Sequence, residues 1–125
     1  EPDARELVCR VLEERGAKTR AFGYALEALE ACIEAPPDVI VSDIGMPGVD
    51  GYEFIRRLRT WEAPRGRATP AAALTAFARS EDRRRTLLAG FQTHLAKPID
   101  PLELVVVVAA LAGRAGSFSG GEAGV

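Results

Sequence analysis

Three polar residues, Asp43, Thr75 and Lys97, each end a segment that reads as a strand: the apolar run Asp38–Asp43, the Ala-rich Pro70–Thr75, and the extended Phe91–Ala96 with Lys97 directly after it. A carboxylate at such a position, followed by Gly45 and Gly48, is open to approach and can attack phosphorus, forming an acyl phosphate. The arriving phosphoryl group needs its charge neutralised. Lys97 can supply a cation, Thr75 a hydroxyl donor and a divalent ion the remainder. Hard oxygen donors suit Mg2+, and the sequence offers no cluster of soft ligands.

For these residues to meet, their runs must be neighbouring strands ending at the same edge. The surrounding periodicity supplies that arrangement. Asp3 is placed to cap a helix running to about Arg15, with Leu7, Val8, Val11 and Leu12 on one face and Gly16 as its stop. A short extended segment, Lys18–Phe22, precedes a second amphipathic helix, Tyr24–Ile33, which Pro36-Pro37 ends. Asp38–Asp43 suits a strand buried on both faces of a parallel sheet. Asp50-Gly51 opens a third helix with Phe54, Ile55 and Leu58 spaced for burial, and Trp61–Thr69 is expected as a loop. The Pro70–Thr75 strand follows, then a helix from a Ser80 cap to Ala89, the Phe91–Ala96 strand and a last helix over Leu102–Leu111. Alternating helix and strand predict a doubly wound α/β sheet, whose chemistry sits at the carboxyl ends of the strands.

Composition allows one domain. Of 125 residues, 47% are apolar and 27% charged, which excludes a disordered chain, a collagen-like fibre and a disulfide scaffold. Sixteen basic against eighteen acidic residues give a net charge of −2, with no electrostatic case for direct nucleic-acid or membrane contact. The longest apolar run, Leu104–Leu111, is too short to span a bilayer, and no signal peptide is visible, so a cytoplasmic location is expected. Cys9 and Cys32 lack metal-ligand spacing and read as two buried free thiols. From Gly113 to Gly121 four of nine residues are glycine, which predicts a flexible tail over 113–125 behind a domain over 1–112.

The blocks Ser-Asp-Ile-Gly-Met-Pro-Gly-Val-Asp-Gly (42–51), Ala-Leu-Thr-Ala (73–76) and Leu-Ala-Lys-Pro-Ile (95–99) resemble, in order and spacing, the three signatures of the receiver domain of two-component response regulators. Together they are highly specific, and the likeness runs from Glu1 to about Leu111. It implies a flavodoxin-like doubly wound parallel sheet of order 2-1-3-4-5. By motif, Asp43 resembles the phosphoacceptor, and Gly45 the residue whose backbone carbonyl meets Mg2+. Thr75 resembles the switch hydroxyl, Ala76 the small neighbour of the phosphoryl pocket, and Lys97 the phosphoryl-contacting lysine. His94 stands at the rotameric switch position three residues before it. The family's Lys-Pro bond at this point is typically cis, which would fix the Lys97 side chain.

The chain departs from the family at its start. Glu1-Pro2-Asp3 resembles the run that follows the family's first strand and its Mg2+-binding acidic pair. That strand is therefore expected to be absent from this chain, and the remaining acidic ligands to lie upstream of Glu1. In order 2-1-3-4-5 the loss would leave two facing edges unpaired, with low stability and weak or absent Mg2+ binding as consequences.

The implied function is a phosphorelay switch. A histidine kinase or histidine phosphotransfer protein donates to Asp43, Thr75 and His94 move, and partner affinity changes at the face of the fourth helix, the strand before Lys97 and the last helix, where a dimer could also form. The run Gly90–Ile99 has the character of receivers at the C-termini of hybrid histidine kinases. Two alternatives stand beside it. An aspartate-nucleophile phosphatase of haloacid-dehalogenase type would need a general-acid aspartate where Gly45 stands, and a pseudo-receiver would bind partners without phosphorylation. Arg83-Arg84-Arg85 fits a solvated helix face paired with Glu81 and Asp82, or a partner surface.

Overall fold

The structure is a computed structural model that describes residues 2–45, 48–76, 80–113 and 122–124. Its elements in chain order are α1 (Pro2–Glu13), β1 (Lys18–Arg20), α2 (Ala25–Glu34), β2 (Val39–Asp43), α3 (Gly51–Glu62), a single 3-10 turn (Ala63–Arg65), β3 (Ala71–Thr75), α4 (Ser80–Ala89), β4 (Thr93–Ala96), α5 (Pro101–Leu111) and β5 (Glu122–Gly124). One parallel sheet of order β1-β5-β2-β3-β4 joins all five strands. Among the described residues no helix is long and apolar enough to cross a membrane.

The apolar alternation along β2 divides the core in two. Val39 and Val41 face the layer of α1 and α5, packing with Val8, Leu12, Leu104 and Val108. Ile40 faces the layer of α2, α3 and α4, with Ala28, Phe54, Ile55 and Ala89. A strand buried on both faces explains why β2 is apolar up to its closing Ser42-Asp43 and β3 up to Thr75.

Two local expectations shift. α1 begins at Pro2, so Asp3 lies inside the helix rather than capping it; proline's fixed φ suits a first helical position. α3 runs through Trp61 to Glu62 before the 3-10 turn, so the expected loop is shorter by two residues. The physical reason is Glu62, only 2% exposed, which accepts from Thr69 N at 2.9 Å and Thr69 Oγ1 at 2.6 Å and pairs with Arg59 at 2.5 Å. Arg59 in turn donates to Gly90 O at 3.0 Å, tying the end of α3 to the α4–β4 turn.

Burial alone would raise the Glu62 carboxyl pKa, but the Thr69 hydrogen bonds and then Arg59 outweigh it and hold the group below its usual range. A carboxylate depressed on folding stabilises at pH above its unfolded value, here 4.5, and loses that contribution as pH falls through the folded value. Glu62→Gln should therefore cost about 2 kcal/mol at pH 7. The gap to wild type should narrow below pH 4.5. Urea midpoints at neutral and acid pH check this, and a gap independent of pH would sink it.

The largest difference from expectation lies at the C-terminus. Residues 122–124, assigned by composition to a flexible tail, form β5 inside the sheet, between β1 and β2. β5 pairs with β1 through Lys18↔Glu122, Thr19↔Ala123 and Arg20↔Gly124, and with β2 through Val39↔Ala123 and Ile40↔Gly124. The sheet therefore extends beyond residue 112, and the edges expected to be unpaired are partly paired. The cause is the accounting of backbone polar groups: a slot between two parallel strands leaves rows of N–H and C=O without partners, and an extended segment satisfies both rows at once. Glu1, 114–121 and 125 lie outside the described residues.

The thiols also differ. Cys32 is buried, whereas Cys9 is only half-buried on α1. Burial pushes the Cys32 thiol up to about 11, against a smaller opposing effect of Arg20, so it carries almost no reactive thiolate at neutral pH.

Candidate functional site

Asp43 ends β2, Thr75 ends β3 and Lys97 follows β4, so the three residues stand side by side at the carboxyl edge of adjacent strands. The register aligns Asp43 with Leu74 and Thr75 with Ala96. Lys97 N donates to Thr75 O at 2.8 Å, continuing the ladder one residue past β4 and carrying the lysine to the site. The Lys97–Pro98 peptide bond is cis.

Lys97 Nζ lies 2.6 Å from Asp43 Oδ2, and Gly45 N donates to Asp43 Oδ1 at 3.0 Å. Partial burial works to raise the Asp43 carboxyl pKa. The Lys97 hydrogen bond, the Gly45 amide and the lysine charge overcome it and hold the group below the usual carboxylate range, so Asp43 is an anion at neutral pH. Thr75 Oγ1 is buried and has no hydrogen-bond partner among the described residues. A hydroxyl withdrawn from water without a partner is costly, and Thr75 is one of the residues lining a cavity of about 300 Å3.

Asp43, Gly45, Thr75, Ala76 and Lys97, all singled out in the sequence, line that cavity. His94 does not: it is half-buried on β4 in register with Ala73. Tyr52 and Asp82 line the cavity and were not anticipated. Each sits in the first turn of a helix, α3 and α4, that starts beside the strand ends. Their signal was available in the helix starts at Asp50-Gly51 and Ser80, since first turns at this edge point towards the site. Asp50 caps α3 by accepting from Glu53 N at 2.9 Å. Gly51 is obligatory there, because a Cβ would come within 2.5 Å of Asp43 O. That close contact seats α3 against the end of β2.

The donor set for a divalent ion is hard but small. Asp43 and the Gly45 carbonyl offer oxygen, and Asp82 shares the cavity. Among the described residues no three His, Cys, Asp or Glu side chains gather for a metal. Gly124, the last described residue of β5, is in register with Ile40, three residues before Asp43. Such a set fits Mg2+, which keeps several waters and takes phosphate oxygens, better than an ion that needs a complete protein cage.

A doubly wound α/β domain with Asp, Thr and Lys at the ends of three adjacent parallel strands defines a phosphoryl-handling class. The chain belongs to the response regulator receiver domain family, whose model matches residues 1–109. It is 46% identical over 108 residues to an uncharacterized 14.6 kDa protein of Leptolyngbya boryana, covering 86% of this chain and 81% of that one. It is 38% identical over 103 residues to the sensor histidine kinase GacS of Pseudomonas protegens, covering 82% of this chain but 11% of the kinase. The receiver domain of sensor histidine kinase PA1611 from Pseudomonas aeruginosa, solved with a magnesium ion in its active-site cleft, superposes with a TM-score of 0.80 at 29% identity, covering 90% of this chain and 91% of that one. The chain is a receiver domain of two-component signalling, a family that includes receivers within hybrid kinases; the phosphatase and phosphorylation-independent alternatives gain no support.

Proposed function

We propose that Asp43 is the phosphoacceptor of this receiver. The observation that carries it is the Asp43–Lys97 pair at 2.6 Å in one cavity with Thr75, whose buried hydroxyl has no partner among the described residues. An Asp43 oxygen attacks the phosphorus of a phosphohistidine on a histidine kinase or histidine phosphotransfer protein. The new O–P bond forms as the N–P bond breaks, and the electron pair leaves on the histidine nitrogen. Lys97 moves its charge to the phosphoryl oxygens, and Thr75 gives them the hydrogen bond it lacks. Ala76 leaves room for the group.

Asp43 and the Gly45 carbonyl would hold Mg2+, weakly in this chain, with Asp82 near. The ion supplies charge neutralisation for the transferring group. Movement of Thr75 is followed by His94, two residues away in strand register, and passes to the face of α4, β4 and α5, where a partner or a second copy docks. The protein is a cytoplasmic switch whose only chemistry is its own phosphorylation and dephosphorylation.

Incubation with phosphoramidate and Mg2+, followed by borohydride reduction and peptide mass mapping, tests the assignment. The reduced acyl phosphate should appear as a homoserine at position 43. Labelling at any other position would overturn it.

A further inference from the structure

α4 is packed the wrong way round for a solvated helix. It buries Thr86 and Ala89, while Leu87 and Leu88 are 57% and 81% exposed. Leu88 forms one wall of a groove of about 290 Å3 between α3 and α4, which is otherwise lined by Arg56, Arg84, Arg85 and Glu81. Three guanidinium groups against one carboxylate make the groove cationic within a chain of net charge −2.

Arg85 is held in place. Its guanidinium lies 4.1 Å from the centroid of the Tyr52 ring, so one face is stacked and the N–H edges are left to meet an anion. The Arg56 guanidinium makes a long contact to Glu53, 3.9 Å, between exposed side chains, which is weak enough to exchange for another carboxylate.

We propose that this α3–α4 groove docks an acidic protein segment that carries an apolar anchor. Carboxylates of the segment pair with Arg56, Arg84 and Arg85, and the anchor covers Leu88. The chemistry selects this partner. A free phosphate would leave the leucine wall and most of the volume unused. A nucleic acid would meet a chain of the same sign of charge with an apolar wall in its path. A bidentate guanidinium rim around an apolar centre is the arrangement that marks the energetic core of protein interfaces. The groove lies on the opposite side of α4 from the α4–β4–α5 face, and the proposal does not depend on phosphorylation of Asp43.

The test uses fluorescence anisotropy with the full chain and a short fluorescein-labelled peptide of Glu and Asp bearing leucines at i and i+4. Saturable binding is expected, weakened about tenfold by Arg84→Glu and by Leu88→Ser, and weakened by salt. Both positions are exposed, and unchanged thermal melts establish that the variants fold. A version of the peptide with Ser for Leu, and one with Lys for the acids, should each bind at least about tenfold more weakly. Absence of saturable binding, wild-type affinity in both variants, equal affinity for the lysine peptide, or tighter binding of a single-stranded oligonucleotide would each overturn the proposal.

Discussion

Replacing Ala123 by proline should destabilise the chain by about 3 kcal/mol, read as a fall in the urea midpoint at 25 °C without loss of cooperativity. Ala123 occupies the middle of β5, where its backbone is in register with Thr19 on one side and Val39 on the other. Proline removes the donor, and its ring cannot sit in a strand flanked on both sides. Deleting residues 114–125 should cost more. β1 is joined to the sheet through β5 alone among the described strands, so both β1 and the facing edge of β2 would lose their ladder. With small domains stable by roughly 5–15 kcal/mol, a loss of several is a large fraction. Urea curves for the full chain and both variants that coincide would show that β5 carries no stability.

That strand also marks where the sequence stopped being informative. Asp43, Thr75 and Lys97 were legible because a strand buried on both faces tolerates polar residues only where it emerges, and three such ends in order point to one edge. Glu122-Ala123-Gly124 has no apolar alternation, no β-branched residue and a glycine-rich approach, so nothing local marks it as a strand. Its place is set by the slot between β1 and β2, a property of the assembled sheet. Glu62 is a similar case. A glutamate beside a Pro- and Gly-containing stretch reads as loop, and only Thr69 and Arg59, brought in by the fold, give it reason to be buried. The arginines of α4 were partly legible. Their charge was plain, but the stacking of Arg85 on Tyr52 joins residues of two different helices. His94 lay on the expected strand, while its distance from the cavity lining depended on which face of β4 it took.

Asp43→Asn should reduce phosphoryl incorporation from phosphoramidate roughly a thousandfold or more, to the background of the assay. The amide keeps the shape of the site. It can still accept from Gly45 N, so the turn after β2 and the fold should persist in circular dichroism. What it lacks is an anionic oxygen able to form an acyl phosphate. The Lys97 contact at 2.6 Å also changes from an ion pair to an ordinary hydrogen bond, so the lysine is no longer held by an opposite charge. Asp82→Asn separates nucleophile from neighbour. Asp82 lines the same cavity, but the 2.6 Å pair with Lys97 belongs to Asp43, so loss of Asp82 should leave incorporation within about tenfold of wild type. If Asp43→Asn retained incorporation within tenfold while Asp82→Asn abolished it, the acceptor would be Asp82 and the Asp43–Lys97 pair a structural tie. The asymmetry expected instead follows from position. Asp43 emerges from the centre of the sheet with a lysine and a hydroxyl arranged around it, whereas Asp82 belongs to the first turn of α4.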